Sequence, residues 1–166
     1  MRDRAAHVTF DDKARAGALS FRVCGTASEN NRSASSTSKA AFAKELKLEE
    51  KFFRAGGLLV AGTDPTGYGG VIAGYGDWRA IELLVEAGLT PVEAIQVATS
   101  NGARLLGIDG QTGSIEAGKA ADLLVVNGDP ATNISDLRKV EIVFKDGTGY
   151  DSKKLFEAVK GIVGIQ

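Results

Sequence analysis

Histidine and cysteine are scarce in this chain of 166 residues, which has one of each, His7 and Cys24. A lone cysteine cannot form a disulfide within the chain, and we expect Cys24 to be a small buried apolar side chain rather than a nucleophile. Zinc sites usually take several histidines, and a single histidine does not make a hydrolase metal site. Because HVTF carries no motif around His7, we expect a surface or locally bonded histidine rather than a ligand.

Long apolar runs and an excess of charge are also missing. No stretch approaches the roughly 20 apolar residues that a membrane-spanning helix needs, so we expect no membrane partner. The first 17 residues are too charged for the apolar centre of a signal peptide, so we expect no export signal and cannot assign a location. With 20 basic and 21 acidic residues the net charge is -1, and nucleic acid is not an expected partner.

The composition is that of an ordinary globular domain, and the pattern along the chain changes near residue 38. Residues 1–37 show no sustained period, and the small polar stretch TASENNRSASSTS predicts an irregular N-terminal segment with a Ser-rich linker. From residue 38 the apolar spacing is helical and predicts a helix over about 39–54, with one stripe made of Phe42, Leu46, Glu49 and Phe53. The short apolar run LLVA (58–61) then predicts a strand buried in a parallel sheet.

Two more helices are predicted after this strand. DWRAIELLVEAG (77–88) has helical apolar spacing and stops at a glycine. In TPVE, Thr90 is a candidate N-cap, Pro91 occupies the favoured first position and Glu93 completes a capping box. We expect that helix to run to about Leu106, with an inward face made of Val92, Ile95, Ala98 and Leu105.

Beyond residue 107 the pattern becomes that of short strands. GSIEAG, ADLLVVNGD and KVEIVFKDG predict a small antiparallel unit over 109–150. Polar groups near its turns, Lys119, Asp122 and Asp129, are expected to be solvated hairpin ends. A last helix within 151–166 is predicted from KKLFEAVKG, with Asp151 or Ser152 as its cap and a buried face made of Leu155, Phe156 and Val159.

The stretch GTDPTGYGG (62–70) places a carboxylate, Asp64, between a buried strand and a glycine-rich loop. A phosphate-binding loop is a poor match, because the Lys followed by Ser or Thr is missing and the glycine spacing differs from a dinucleotide fingerprint. Asp64 followed by Pro65 is also typical of a plain turn. Active sites of α/β proteins, however, lie at the carboxyl ends of parallel strands, so both interpretations stay open on these residues alone.

A resemblance to a known family helps to decide. GGLLVAGTDPTGYGG, AIELLVEAGLTPVEAIQVATSNGARLLGI, GSIEAGKAADLLVVNGDP and KVEIVFKDG occur in order over about residues 50–150. Together they resemble the C-terminal part of the amidohydrolase superfamily, closest to its imidazolonepropionase-like and prolidase-like branch. The resemblance implies an α/β chain that forms the end of a (β/α)8 metal-hydrolase barrel (38–108) and the C-terminal strands of its small β-sandwich.

The same resemblance implies roles for individual residues. Asp64 corresponds to the aspartate at the end of the eighth barrel strand, which binds a site metal and takes a proton from the attacking water. Zinc or another divalent cation is the implied cofactor. Thr63, Gly67 and Tyr68 fall on the loop that would face a small-molecule substrate, and the implied reaction is hydrolysis of a C–N bond other than an ordinary peptide bond.

The chain departs from the family in the remaining ligands. The family's His-x-His pair, its lysine or glutamate, and two single histidines have no recognisable place here, and a barrel needs about 250 residues. We therefore expect a fragment that is inactive alone and binds no metal of its own. An alternative is a non-enzymatic module that self-associates or binds a partner, and a third possibility is a partner chain that supplies the missing histidines and the rest of the barrel.

Overall fold

A computed structural model describes residues 18–20, 36–63 and 74–161 of the chain. These residues form a mixed α/β structure, which agrees with the predicted fold class. The elements in chain order are β1 (Ala18–Ser20), α1 (Ser36–Arg54), β2 (Leu58–Val60), α2 (Tyr75–Ala87), α3 (Pro91–Ala98), α4 (Ser100–Leu106), β3 (Leu123–Val126), a 3-10 helix (Ile134–Arg138), β4 (Val140–Lys145), β5 (Thr148–Asp151) and α5 (Ser152–Ala158).

Strand β2 pairs in parallel with β1, as its apolar composition predicts. Leu59 and Val60 are 1% and 7% exposed, so the strand is buried. β1 falls inside the N-terminal segment that the sequence pattern indicates to be irregular, because three residues are too few to show a strand period. Cys24 and His7 lie outside the described residues.

Helix α1 begins at Ser36 and presents the predicted stripe to the interior. Its most buried member is a carboxylate, Glu49, which is 4% exposed. Among the described residues Oε2 of Glu49 has no hydrogen-bond partner. Burial, with a smaller contribution from the negative charge of Glu45, raises the pKa of Glu49 to about 6. The helix thus holds a carboxyl group that folding disfavours in its charged form.

Replacing Glu49 with glutamine is expected to stabilise the chain at neutral pH. The pKa of Glu49 is raised from 4.5 to about 6 on folding, so the stability of the wild type is complete below pH 4.5 and falls as the pH rises through 6. At about 1.4 kcal/mol for each pH unit the ionised group costs about 2 kcal/mol. Urea unfolding at pH 4.5 and pH 8 should show this loss in the wild type and not in Glu49→Gln. Glu141→Gln, at an exposed position of β4, should keep the wild-type pH dependence; an unchanged dependence in Glu49→Gln would contradict the assignment.

The beginning of α3 confirms the predicted capping box. The backbone N–H of Glu93 donates to Oγ1 of Thr90 (3.3 Å) and that of Thr90 donates to Oε2 of Glu93 (2.8 Å). Arg54 of α1 donates to the Glu93 carboxylate and also to the carbonyl of Gly88 (3.0 Å). The Arg54 hydrogen bond and then the Thr90 backbone lower the pKa of Glu93 to about 2. The cap therefore also ties α1 to the turn between α2 and α3.

The predicted helix from 91 to 106 is interrupted at Thr99, which corrects the sequence interpretation. The Thr99 hydroxyl donates to the carbonyl of Ile95 (2.7 Å), and its backbone N–H bonds to the carbonyl of Gln96 instead of continuing the α-helical pattern. α4 then begins at Ser100. The predicted inward face is also partly wrong, because Val92 is 57% exposed while Ala94 and Val97 are fully buried.

The C-terminal unit is a three-stranded antiparallel sheet in the order β3-β4-β5. Its predicted strand at GSIEAG is wrong: residues 113–118 form bends and turns, and Ile115 is 87% exposed. The sequence pattern also missed β5, whose Thr148–Asp151 segment lacks apolar alternation. Asp151 caps α5 as predicted, by accepting from the backbone N–H of Lys154 (3.1 Å).

The predicted buried face of α5 is exposed in the structure. Leu155, Phe156 and Val159 are 43%, 63% and 43% exposed. The physical reason is that α5 packs on the edge of a small sheet, on β4 and β5, and the described residues place no second layer over it. Together with four side chains of the sheet these residues form the C-terminal apolar surface: Leu124, Val125, Ile142, Tyr150, Leu155, Phe156 and Val159.

One hydrophobic core joins the helices to the C-terminal unit. Ile134 of the 3-10 helix packs in the same cluster as residues of β2, α2, α3 and their connections, namely Leu59, Leu84, Leu89, Ala94 and Val97. Arg138 adds two hydrogen bonds to the carboxylate of Glu82 in α2, at 2.7 and 2.9 Å. None of the helices in the described part is long and apolar enough to cross a membrane.

Candidate active site

The predicted site lies where β2 ends. Leu59 and Val60 lead into Ala61, Gly62 and Thr63, and the chain is described again from Gly74, which precedes α2. Asp64, Gly67 and Tyr68 lie outside the described residues, so their predicted roles stay predictions. The described residues on either side show how the two ends of this loop are held.

Thr63 fixes one side of the loop to the other. Its hydroxyl donates to Oδ1 of Asp77 at 3.0 Å, and Asp77 lies in the first turn of α2. A carboxylate at this position also suits the positive end of the helix dipole. The Thr63 hydroxyl is therefore engaged with the protein itself, directly beside the position of Asp64, and the residue's predicted place on a substrate loop stays a prediction.

A second hydrogen bond holds the body of β2. Nδ2 of Asn101 in α4 donates to the backbone carbonyl of Leu59 at 2.8 Å, and Asn101 is 3% exposed. The backbone N–H of Ala61 donates to the carbonyl of Val97 at 3.4 Å. The end of α3 and the start of α4 thus contact β2 directly through polar groups, three to five residues before Asp64.

Sequence reasoning did not single out Asn101. A signal was present, since Ala94, Val97 and Asn101 follow the spacing of one buried helical face and a polar residue there must find a partner. The interruption at Thr99 brings Asn101 to β2 because α4 starts afresh one residue earlier. Oδ1 of Asn101 has no hydrogen-bond partner among the described residues.

The described residues do not by themselves form a metal centre. They contain no group of three or more histidine, cysteine, aspartate or glutamate side chains placed to hold an ion. The one histidine of the sequence, His7, lies outside them. The donor set that surrounds a divalent cation in a hydrolase therefore does not fit the described part of this chain alone.

Polar residues of the C-terminal turns have local partners. Nζ of Lys119 donates to Oγ of Ser114 at 2.5 Å, and the Asp122 carboxylate accepts from Nζ of Lys145 at 2.9 Å and from the backbone N–H of Asp146. These bonds to Asp146 and Lys145 lower the pKa of Asp122. They close turns of the antiparallel unit, which agrees with the expected structural role.

Comparisons with known proteins agree on one family. A profile described as the amidohydrolase family matches residues 1–149. Adenine deaminase 4 of Rhizobium meliloti (strain 1021) is 41% identical over 68 residues, which are 41% of this chain and 10% of that protein. 5'-Deoxyadenosine deaminase of Methanobrevibacter smithii is 39% identical over 58 residues, which are 35% of this chain and 13% of that protein.

A solved structure supports the same relation. The crystal structure of a Xaa-Pro dipeptidase with bound methionine in the active site superposes with a TM-score of 0.54 at 36% identity. The match covers 66% of this chain and 25% of the dipeptidase. The chain thus spans about a quarter of that structure and about a tenth of the curated relatives.

Proposed function

The chain belongs to the amidohydrolase family, and we propose that it carries the C-terminal part of the family's catalytic unit. In this proposal β2 is the eighth strand of a (β/α)8 metal-hydrolase barrel, α2 to α4 follow it, and β3 to β5 are the C-terminal strands of the small β-sandwich. The observation that carries the proposal is the geometry of β2, a buried strand in parallel pairing that ends directly before Asp64.

The proposed reaction is hydrolysis of a C–N bond other than an ordinary peptide bond. The similar proteins are named as two deaminases and a Xaa-Pro dipeptidase, and both names describe displacement of a nitrogen from carbon. A divalent cation such as zinc, when bound, supplies a water whose pKa lies nearer neutrality. In the proposal, the carboxylate of Asp64 at the end of the strand accepts a proton and passes it to the leaving nitrogen.

Because one carboxylate and one histidine do not complete such a site, we propose that this chain is inactive alone. The 166-residue chain should bind zinc below stoichiometry and show no turnover of Xaa-Pro dipeptides or N-acyl amino acids. Zinc is measured by atomic emission after gel filtration. Stoichiometric, tightly bound metal together with turnover would show that the chain is a complete enzyme and would contradict this part of the proposal.

A chimera tests whether the segment belongs to a catalytic unit. Residues 58–150 replace the matched segment of the Xaa-Pro dipeptidase, which supplies the remaining ligands. We expect the chimera to fold, to bind zinc and to hydrolyse a Xaa-Pro dipeptide. A folded chimera that binds metal but does not turn over would contradict the proposed catalytic role of this end of β2.

The C-terminal apolar surface favours a second function, binding of a partner. The strand register places Leu124 opposite Val143 and Val143 opposite Tyr150 on one face of the sheet, while Val125 lies opposite Ile142 on the other. Full burial of each such side chain stabilises a complex by roughly 1.5–3 kcal/mol. Since the chain spans a quarter of a family member, we propose a polypeptide that supplies the remainder of the barrel as the occupant.

Co-expression tests this second proposal. The 166-residue chain is expressed with the part of the dipeptidase that it does not match, and light scattering after gel filtration should show a 1:1 complex. The double variant Leu124→Ser and Tyr150→Ser should remove the complex. Leu106→Ser, at an exposed position outside the surface, should retain it. A homodimer that excludes the dipeptidase part would instead assign the surface to self-association.

A further inference from the structure

Asn101 is a buried polar residue for which the proposed chemistry gives no reason. It is 3% exposed, it lies on α4, and its hydrogen-bond partner is the backbone of β2, 42 residues earlier in the chain. A buried amide is costly unless it is hydrogen-bonded. The bond from Nδ2 to the Leu59 carbonyl therefore fixes α4 and β2 relative to each other.

The direction of the bond shows which part of β2 is held. The backbone groups of alternate residues in a strand point to opposite edges. The amide of Leu59 donates to the carbonyl of Gly57 (3.0 Å), and its carbonyl accepts from Asn101. Two residues further along, the amide of Ala61 donates to the carbonyl of Val97. One edge of β2 thus pairs with β1, and the edge to which Leu59 and Ala61 point is held by the α3–α4 junction.

We propose that Asn101 is the positioning residue for Asp64. By holding the Leu59 carbonyl, Asn101 sets the path of the strand through Ala61 to Thr63, and the hydrogen bond from Thr63 to Asp77 fixes the far end. The carboxylate of Asp64 follows directly. This inference rests on the proposed function, because it takes Asp64 as the group that needs placing.

Hydrogen exchange on the 166-residue chain tests the inference without metal or substrate. In Asn101→Leu, which keeps the size and removes the donor, the amides of Leu59, Val60 and Ala61 should lose about tenfold of their protection. The amides of β4, such as Val143, should keep theirs. Equal loss in both regions would show a general loss of stability and would overturn the positioning role, as would an unchanged β2.

Asn101→Asp gives a readout that a purely structural residue would not move. The carboxylate that this substitution introduces accepts hydrogen bonds but cannot donate them, and it repels the Leu59 carbonyl; once protonated it can donate again. Protection of β2, corrected for the intrinsic exchange rate, should therefore recover on acidification in Asn101→Asp and not in Asn101→Leu. A variant that shows no recovery contradicts the donor role.

The Xaa-Pro dipeptidase chimera carries the inference to Asp64. There Asn101→Leu should lower kcat about tenfold with KM within about twofold, since misplacing a catalytic group affects the chemical step. Exchange loss with unchanged kcat would overturn the proposal. If the chimera has no turnover at all, the proposed function fails, and the exchange measurements alone decide whether Asn101 positions β2.

Discussion

Leu59→Ala is expected to lower the free energy of unfolding by about 3 kcal/mol. Leu59 is 1% exposed and packs in the cluster with Leu84, Leu89 and Val97, contributed by α2, the turn after it and α3. Removing its branched end leaves a cavity between a strand and three segments that are themselves held by hydrogen bonds, so collapse around the cavity is limited. The measurement is urea unfolding followed by circular dichroism, at the low pH at which Glu49 is uncharged.

A matched substitution separates this cavity from the loss of leucine as such. Leu106→Ala removes the same atoms at the end of α4, where the side chain is 63% exposed. It should change the free energy of unfolding by less than about 0.5 kcal/mol. If Leu59→Ala were as mild as Leu106→Ala, β2 would not be the centre of the core, and its value as a rigid support for the site would be lost.

The parts of the fold that the sequence predicts well are those in which local and tertiary preferences agree. Thr90, Pro91 and Glu93 form their capping box from local chemistry alone, and the structure confirms each contact. LLVA predicts a buried strand because four consecutive apolar residues fit a sheet covered on both faces. The family resemblance over 50–150 is confirmed by the profile match, which extends further, to residue 1.

The errors arise where a single hydrogen bond or a missing layer decides. A helix pattern continues from 91 to 106, yet the Thr99 hydroxyl competes for a carbonyl and interrupts it. Asp151 caps α5 as predicted, but the burial of Phe156 depends on a layer that the described residues do not contain. Asn101 was missed because its partner, the carbonyl of Leu59, lies 42 residues away.

Asp64→Asn should abolish hydrolysis by the chimera of this chain with the Xaa-Pro dipeptidase. Asparagine keeps the size of the side chain but cannot accept a proton, and it is a weaker ligand for a divalent cation. Loss of a general acid–base group alone lowers kcat by roughly 10² to 10⁴, and weaker metal binding adds to this loss. We therefore expect a decrease in kcat of at least about 10³-fold, with an unchanged thermal unfolding midpoint.

The control for this substitution must lose a carboxylate without touching the site. Asp109→Asn serves, because Asp109 is exposed in the turn after α4, and it should leave kcat within about twofold of the parent chimera. Zinc content separates the two proposed roles of Asp64. A variant that keeps its zinc but loses turnover identifies Asp64 as the proton acceptor, whereas loss of both identifies it mainly as a ligand. Full activity in Asp64→Asn would remove this residue from the site and leave the end of β2 with a structural turn.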